Sequence, residues 1–125
     1  MGKKHNPRFL AAVETARSLI AECEAPELRL MMEDDEPLLV IDVRERHEFE
    51  AGHLKGAIHI GKGVLERDIE KQDWDDETRI VLYCGGGFRS ALAAKSVQDM
   101  GWTNVLSLWG GWRGIQAEGL PVWQP

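Results

Sequence analysis

The residues IVLYCGGGFRSA, at positions 80–91, combine an apolar run, one cysteine, three glycines and an arginine. The apolar residues Ile80–Tyr83 follow one another without alternation, which is typical of a strand buried on both faces of a parallel sheet. From Arg89 to Met100 apolar residues recur at helical spacing, and Gly101 is a suitable residue just past a helix C-terminus. This order predicts a strand, a tight turn and a helix, with Cys84 at the carboxyl end of the strand.

Segments on both sides of this unit repeat the same pattern. Short apolar runs predict strands at residues 38–42, 57–60, 79–84 and 104–109, and helical spacing predicts helices at residues 45–51, 64–71, 89–100 and 112–118. The alternation predicts an α/β fold, with a small twisted parallel sheet of four to five strands and helices on both of its faces.

The chain before this alternation has a different pattern. Residues 1–36 are predicted to form a helical extension that packs on the domain of residues 37–125. Apolar residues recur at threes and fours from Phe9 to Cys23, which predicts an amphipathic helix, and a second short helix is predicted from Pro26 to Met32. The acidic residues 33–36 are interpreted as a solvated loop.

Composition excludes several classes of function. With 125 residues, 43% of them hydrophobic, the chain is long enough for one globular domain. Its 15 basic and 21 acidic residues give a formal charge of −6, which argues against a nucleic-acid partner. No apolar run approaches the roughly 20 residues that cross a bilayer, and no export signal is recognised, so a soluble cytoplasmic protein without a membrane partner is expected. The contexts of Cys23 and Cys84 differ too much to predict a disulfide.

The cysteine loop predicts a nucleophile. Successive glycines allow backbone N–H groups to converge on one point, and the start of the following helix directs its positive end to the same place. Arg89 adds a permanent positive charge. These donors favour a negatively charged sulfur on Cys84, which is the nucleophilic form of a thiol. The alternative is a buried structural cysteine before a tight turn, but the convergence of glycines, arginine and helix start favours a functional site.

Three motifs in the right order resemble the rhodanese homology domain, a sulfurtransferase family, over residues 38–122 of this chain. The motif CGGGFRS resembles the active-site loop of that family, with cysteine first and arginine sixth. LLVIDVRERHEFEAGHLKGAIHI, residues 38–60, resembles its amino-terminal signature, and NVLSLWGGWRGIQAEGLPV, residues 104–122, its carboxyl-terminal signature. One departure is Ile115, where relatives often carry tryptophan.

The resemblance implies a thiosulfate sulfurtransferase without metal or organic cofactor. Cys84 would take a sulfane sulfur from a small donor such as thiosulfate and pass the persulfide sulfur to a thiophilic acceptor, either cyanide, a thiol or a protein. Arg89 would orient the anionic donor. The residues implied to bind substrate are Gly85, Gly86, Gly87, Phe88 and Ser90.

Three further motif residues are expected to support the site. Asp42 and Arg44 follow the first buried strand of the motif and are predicted to form an ion pair that fixes local geometry. Histidine is a common general base in enzymes, but the resemblance implies a structural turn for His53. His47, His53 and His59 recur at intervals of six, which matches no common metal-ligand spacing.

Two other classes of function remain open. Relatives of the same fold with a loop one residue longer act as phosphatases or arsenate reductases, because the larger ring fits a tetrahedral oxyanion; the six residues from Cys84 to Arg89 favour sulfur. A persulfide carrier or redox sensor for a partner protein is also compatible with these motifs. Cys23 lies on an apolar stripe and is interpreted as a core residue rather than a redox partner of Cys84.

Overall fold

The computed structural model describes residues 4–125 and is built on a five-stranded parallel sheet. The strands lie in the order β1–β6–β5–β2–β4. Their bounds are β1 Ala21–Cys23, β2 Leu38–Asp42, β4 Ile58–His59, β5 Arg79–Tyr83 and β6 Val105–Leu108. Two further short strands, β3 (His53–Leu54) and β7 (Val122–Trp123), pair antiparallel beside this sheet.

The two central strands explain why the cysteine loop starts where it does. β2 and β5 pair in parallel over their full length, from Leu38 opposite Arg79 to Asp42 opposite Tyr83. Ile80, Val81 and Leu82 are fully buried because helices cover both faces of the sheet. The end of β5 therefore delivers Cys84 to the middle of the carboxyl edge, where α/β sheets bind ligands.

Within residues 4–125, six α-helices surround the sheet. Their bounds are α1 Pro7–Arg17, α2 Ala25–Glu33, α3 Arg46–Ala51, α4 Leu65–Asp68, α5 Phe88–Asp99 and α6 Gly111–Glu118. Helices α4 and α5 pack in one core cluster with alternate residues of β2 and β5, whereas α2 and α6 pack against the opposite face. Helix α1 packs on the outside of α5 through Val13, Ala16 and Ala91. The predicted α/β class and the helices on both faces are thus confirmed.

The amino-terminal helix is shorter than the apolar spacing predicts. The prediction of one helix from Phe9 to Cys23 was wrong, because α1 ends at Arg17 and residues 21–23 form β1. β1 pairs with β6, Cys23 opposite Leu108, so a strand distant in sequence determines its conformation. Residues 1–36 are accordingly not purely helical; their division from residues 37–125 stays a prediction, and residues 1–3 lie outside the described part of the chain.

A second difference concerns the helix predicted at residues 64–71. The chain there is divided into a 3₁₀ turn at Lys62–Val64, the single α-helical turn α4, and another 3₁₀ turn at Ile69–Lys71. Its anchors are the fully buried Leu65 and Ile69. No helix within residues 4–125 is both long and apolar enough to span a bilayer.

Candidate active site

Cys84 is enclosed by donors at the turn between β5 and α5. The backbone N–H groups of Gly87 and Ser90 donate to its Sγ at 3.2 and 3.3 Å. Gly87 has φ of 114°, and a Cβ at this position would press on Trp109 and on the carbonyl of Leu108. Glycine at 87 therefore allows both the turn and the close approach of the neighbouring strand end. The arrangement stabilises negative charge on Sγ.

The carbonyl side of the same loop is held by the start of α6. The N–H groups of Trp112 and Gly110 donate to the carbonyls of Cys84 and Gly86 at 2.8 and 3.0 Å. Gly111 has φ of 49°, and a Cβ on it would collide with the backbone of Cys84 and Gly85. With its carbonyls bonded to α6, the loop is free to direct N–H groups toward sulfur.

A pair of buried serines extends from the sulfur into the core. Ser90 Oγ lies 3.5 Å from Cys84 Sγ and 2.8 Å from Ser107 Oγ. Ser107 is on β6 and is completely buried, as is Ser90. Ser90 was predicted from its motif. Ser107 was not, because its position beside the loop depends on the register of β5 and β6.

Arg89 forms an ion pair across the mouth of the site. Its two terminal nitrogens donate to the two carboxylate oxygens of Glu48 at 2.9 and 3.2 Å. The hydrogen bond from Arg89 is the largest cause that lowers the pKa of Glu48 to about 2. Glu48 lies on α3 and was not identified from the sequence.

Asp42 and Arg44 form a second, buried ion pair beside the Cys84 loop. The Arg44 guanidinium donates to Asp42 Oδ2 at 2.7 Å and to the carbonyl of Gly52 at 2.7 Å. The guanidinium carbon also lies 4.9 Å from the centre of a Trp112 ring. These contacts tie together the end of β2, the end of α3 and the start of α6, so the pair fixes the geometry around the loop.

His53 lies in the turn after α3. Its Nδ1 is 2.8 Å from the carbonyl of Phe49, and its ring stacks on Phe49 at 3.6 Å between centroids and on Trp123 at 5.1 Å. It is not among the residues that line the cavity over Cys84. This location offers no base to a substrate at Sγ.

A cavity of about 700 Å³ opens over Cys84. Gly85, Gly86, Phe88 and Arg89 line it, whereas Gly87 and Ser90, which the resemblance also implies to bind substrate, do not. Six lining residues were not predicted as site residues: His5, Phe9, His47, Glu48, Trp112 and Arg113. The aromatic wall is continuous, because the Phe88 ring lies 4.9 Å from His5 and 6.2 Å from Phe9 between centroids. Only the fold brings the amino-terminal residues to this place.

Cys23 lies outside the cavity, and the charged groups near it are carboxylates. It is buried at the end of β1, and burial, followed by the charges of Glu27, Glu22 and Glu24, raises its pKa from 9.0 to about 12. Its thiol is therefore protonated at neutral pH, and Cys23 and Cys84 are both free cysteines.

Fold and site together define an α/β protein with a cysteine at the head of a six-residue loop at the end of a central parallel strand. The family model for the rhodanese-like domain matches residues 24–118. The chain belongs to the rhodanese-like domain family, as the motifs predict.

Several relatives resemble the chain over most of its length. The "Putative sulfur carrier protein YrkF" of Bacillus subtilis (strain 168) is 32% identical over 96 residues, which are 77% of this chain and 51% of that protein. This chain therefore spans about half the length of that curated relative.

Two solved structures have the same fold. The polysulfide-sulfur transferase homodimer of Wolinella succinogenes has a TM-score of 0.80 and 27% identity, covering 94% of this chain and 88% of its own. A Rhodopseudomonas palustris protein of unknown function, described as "Possible Tyrosine Phosphatase", has a TM-score of 0.80 and 28% identity, covering 98% and 99%.

Proposed function

We propose that this protein is a sulfurtransferase that moves a sulfane sulfur from a donor such as thiosulfate to a thiophilic acceptor through a persulfide on Cys84. Membership of the rhodanese-like family and the sulfur-transfer names of two relatives support sulfur transfer as the general chemistry. The observation that carries the proposal is the pair of backbone N–H groups aimed at Sγ inside an open cavity.

The reaction has two balanced half-reactions. In the first, the Cys84 thiolate attacks the sulfane sulfur of thiosulfate; the new Sγ–S bond forms while the S–S bond of the donor breaks, and sulfite leaves with the electron pair. In the second, an acceptor such as cyanide attacks the outer persulfide sulfur, and the thiolate leaves as thiocyanate forms. No external oxidant or reductant is required. The N–H groups of Gly87 and Ser90 stabilise the anionic sulfur in both states.

The remaining motif residues act around this sulfur. Arg89 is positioned at the cavity mouth to attract the anionic donor, although in this structure it is bonded to Glu48. Asp42 and Arg44 maintain the geometry around the loop through their contacts with each other and with Gly52. We place the activity in the cytoplasm, because both cysteines are free thiols, as in reducing compartments.

A persulfide carrier is the second candidate function, favoured by the name of the Bacillus relative. A carrier performs the first half-reaction and delivers its sulfur to a partner protein rather than to a small acceptor. A phosphatase is the less favoured candidate, since the loop has six residues and none of them is an acid that protonates a leaving group.

The test combines an enzyme assay with intact mass measurement. Purified protein is incubated with thiosulfate alone and then with cyanide, for the wild type, Cys84→Ala and Cys23→Ala. We expect the wild type and Cys23→Ala to gain the mass of one sulfur atom and to produce thiocyanate, and Cys84→Ala to do neither. A persulfide without thiocyanate production would favour the carrier, and turnover of a phosphate ester without persulfide would favour the phosphatase.

A further inference from the structure

Three arginines line the cavity over Cys84, and they differ in whether their charge is already paired. Arg44 is bonded to Asp42, and Arg89 is bonded to Glu48. Within the part of the chain that the structure describes, the guanidinium of Arg113 makes no hydrogen bond or ion pair, although it is exposed in the cavity. Of the three arginines in the cavity, Arg113 is therefore the one whose charge is not paired with a carboxylate and is available to bind a ligand.

The position of Arg113 is fixed relative to the nucleophile. It is the third residue of α6, and its backbone N–H donates to the carbonyl of Gly85 at 3.3 Å. The preceding residue, Trp112, donates to the carbonyl of Cys84 at 2.8 Å. The side chain then lies over Gly86, because a Cβ built on that glycine would overlap the Arg113 guanidinium. The guanidinium thus covers the loop that carries Cys84.

We propose that Arg113 binds the oxyanion end of the sulfur donor. The inference rests on the proposed function and names the residue that selects donors of the thiosulfate class, in which the sulfane sulfur is attached to a sulfonate group. A planar guanidinium binds such oxygens through two parallel hydrogen bonds. With the sulfonate on Arg113, the sulfane sulfur faces Cys84 Sγ, and the sulfite that leaves takes its negative charge to Arg113.

The absence of a side chain at Gly86 leaves room for the Arg113 guanidinium. The backbone of Gly86 is outside the left-handed region, so alanine is compatible with its conformation. An added methyl group would displace only the flexible end of Arg113. Gly86→Ala therefore moves the guanidinium without removing its charge. The variant tests whether the position of the Arg113 charge matters, whereas Arg113→Ala tests whether the charge itself matters.

The first experiment measures thiosulfate kinetics in the cyanide assay. Arg113→Ala is expected to raise KM for thiosulfate about tenfold to a hundredfold and to change kcat by less than about threefold, because the interaction binds donor in the ground and transition states alike. Arg113→Lys is expected to be intermediate. The matched control is Arg67→Ala, which removes the same charge from an exposed arginine of α4 that does not line the cavity.

The second experiment measures binding without turnover. Calorimetric titration of thiosulfate into Cys84→Ala gives a Kd, and adding Arg113→Ala is expected to weaken it by the same factor as KM. Adding Arg67→Ala is expected to leave it unchanged. Equal Kd and KM values for the Arg113 and Arg67 variants would overturn the inference and leave the proposed function intact.

A double-mutant comparison tests the geometry itself. Gly86→Ala is expected to raise KM in the otherwise wild-type chain and to have no further effect when Arg113 is already alanine. Full additivity of the two effects would contradict the assigned contact. If the wild type gains no sulfur from thiosulfate, the proposed function fails, whereas the binding titrations still decide whether Arg113 holds the anion.

Discussion

Cys84 and Cys23 both stand at carboxyl ends of strands in one parallel sheet, yet their surroundings are chemically opposite. Two N–H groups point at Cys84 Sγ, and a cavity opens above it. Cys23 is next to three glutamates and is held in the core, where burial and these charges raise its pKa. A strand end therefore does not determine the chemistry of a cysteine by itself. Both thiols are buried, so the groups that face each sulfur make the difference.

The largest expected difference is in thiol reactivity. In the folded protein, Cys84 should react with iodoacetamide at least about a thousandfold faster than Cys23, because a thiol with a pKa near 12 is almost wholly protonated at about pH 8. The single-cysteine variants Cys23→Ala and Cys84→Ala, followed by mass spectrometry, give the two rates. In denaturant the rates should converge, and similar rates in the folded state would contradict the comparison.

The second expected difference comes from the glycine that contacts the Cys84 loop. Gly111→Ala should lower the free energy of unfolding by about 3 kcal/mol, because it combines a left-handed backbone with a collision against the loop. Gly119→Ala is the matched control, since its φ of 74° is also left-handed but nothing lies within 4 Å of an added Cβ. It should cost about 1 kcal/mol. Denaturant unfolding measures both losses of free energy. Equal losses would contradict the prediction, because they would mean that the loop moves away from the added methyl group at little cost.

The third difference concerns alkaline pH. The pKa of Cys23 is raised above its ordinary value of 9.0 on folding, so the folded state prefers the protonated thiol. This contribution is fully present below about pH 9 and is lost as pH rises toward 12, at about 1.4 kcal/mol per pH unit between the two values. Cys23→Ala should therefore unfold with a shallower dependence on pH in this range. Because burial raises the pKa of Tyr83 as well, only the difference between the two proteins is diagnostic.

The smallest expected effect comes from the serine beside Cys84. Ser90→Ala leaves its backbone N–H on Sγ but removes the partner of the buried Ser107 hydroxyl. The unfolding free energy should fall by about 1 kcal/mol, and kcat should fall less than about tenfold. Ser107→Ala is the matched variant, and it should spare kcat more than Ser90→Ala does. A complete loss of persulfide formation in Ser90→Ala would show that the hydroxyl, not the backbone, carries the donor role.

Local pattern was sufficient to predict the centre of the molecule. Strands β2 and β5 are continuous apolar runs that end in Asp42 and Tyr83, and the glycine turn and α5 follow directly in sequence. The Cys84 loop could be predicted because all its residues are contiguous in sequence. One short stretch specifies both the turn and the groups that surround the sulfur.

Contacts between distant segments could not be predicted in this way. Leu19, Ile20 and Cys23 continue the helical spacing of apolar residues, but pairing with β6 makes residues 21–23 a strand. Phe9 and Arg113 reach the cavity only through the packing of α1 on α5 and of α6 on the loop. The Gly110–Gly111 pair was a usable signal for the second contact, since a tight turn there brings the start of α6 against its neighbours.

The outer strands of the main sheet have a consequence for aggregation. β1 has three residues and β4 has two, so each border of the sheet offers only a few backbone groups to an incoming chain. A long unpaired edge strand can template fibril growth, and short edge strands prevent this. We therefore expect this protein to associate with itself or with a sulfur acceptor through side-chain surfaces. We do not expect another chain to add a strand to the edge of its sheet.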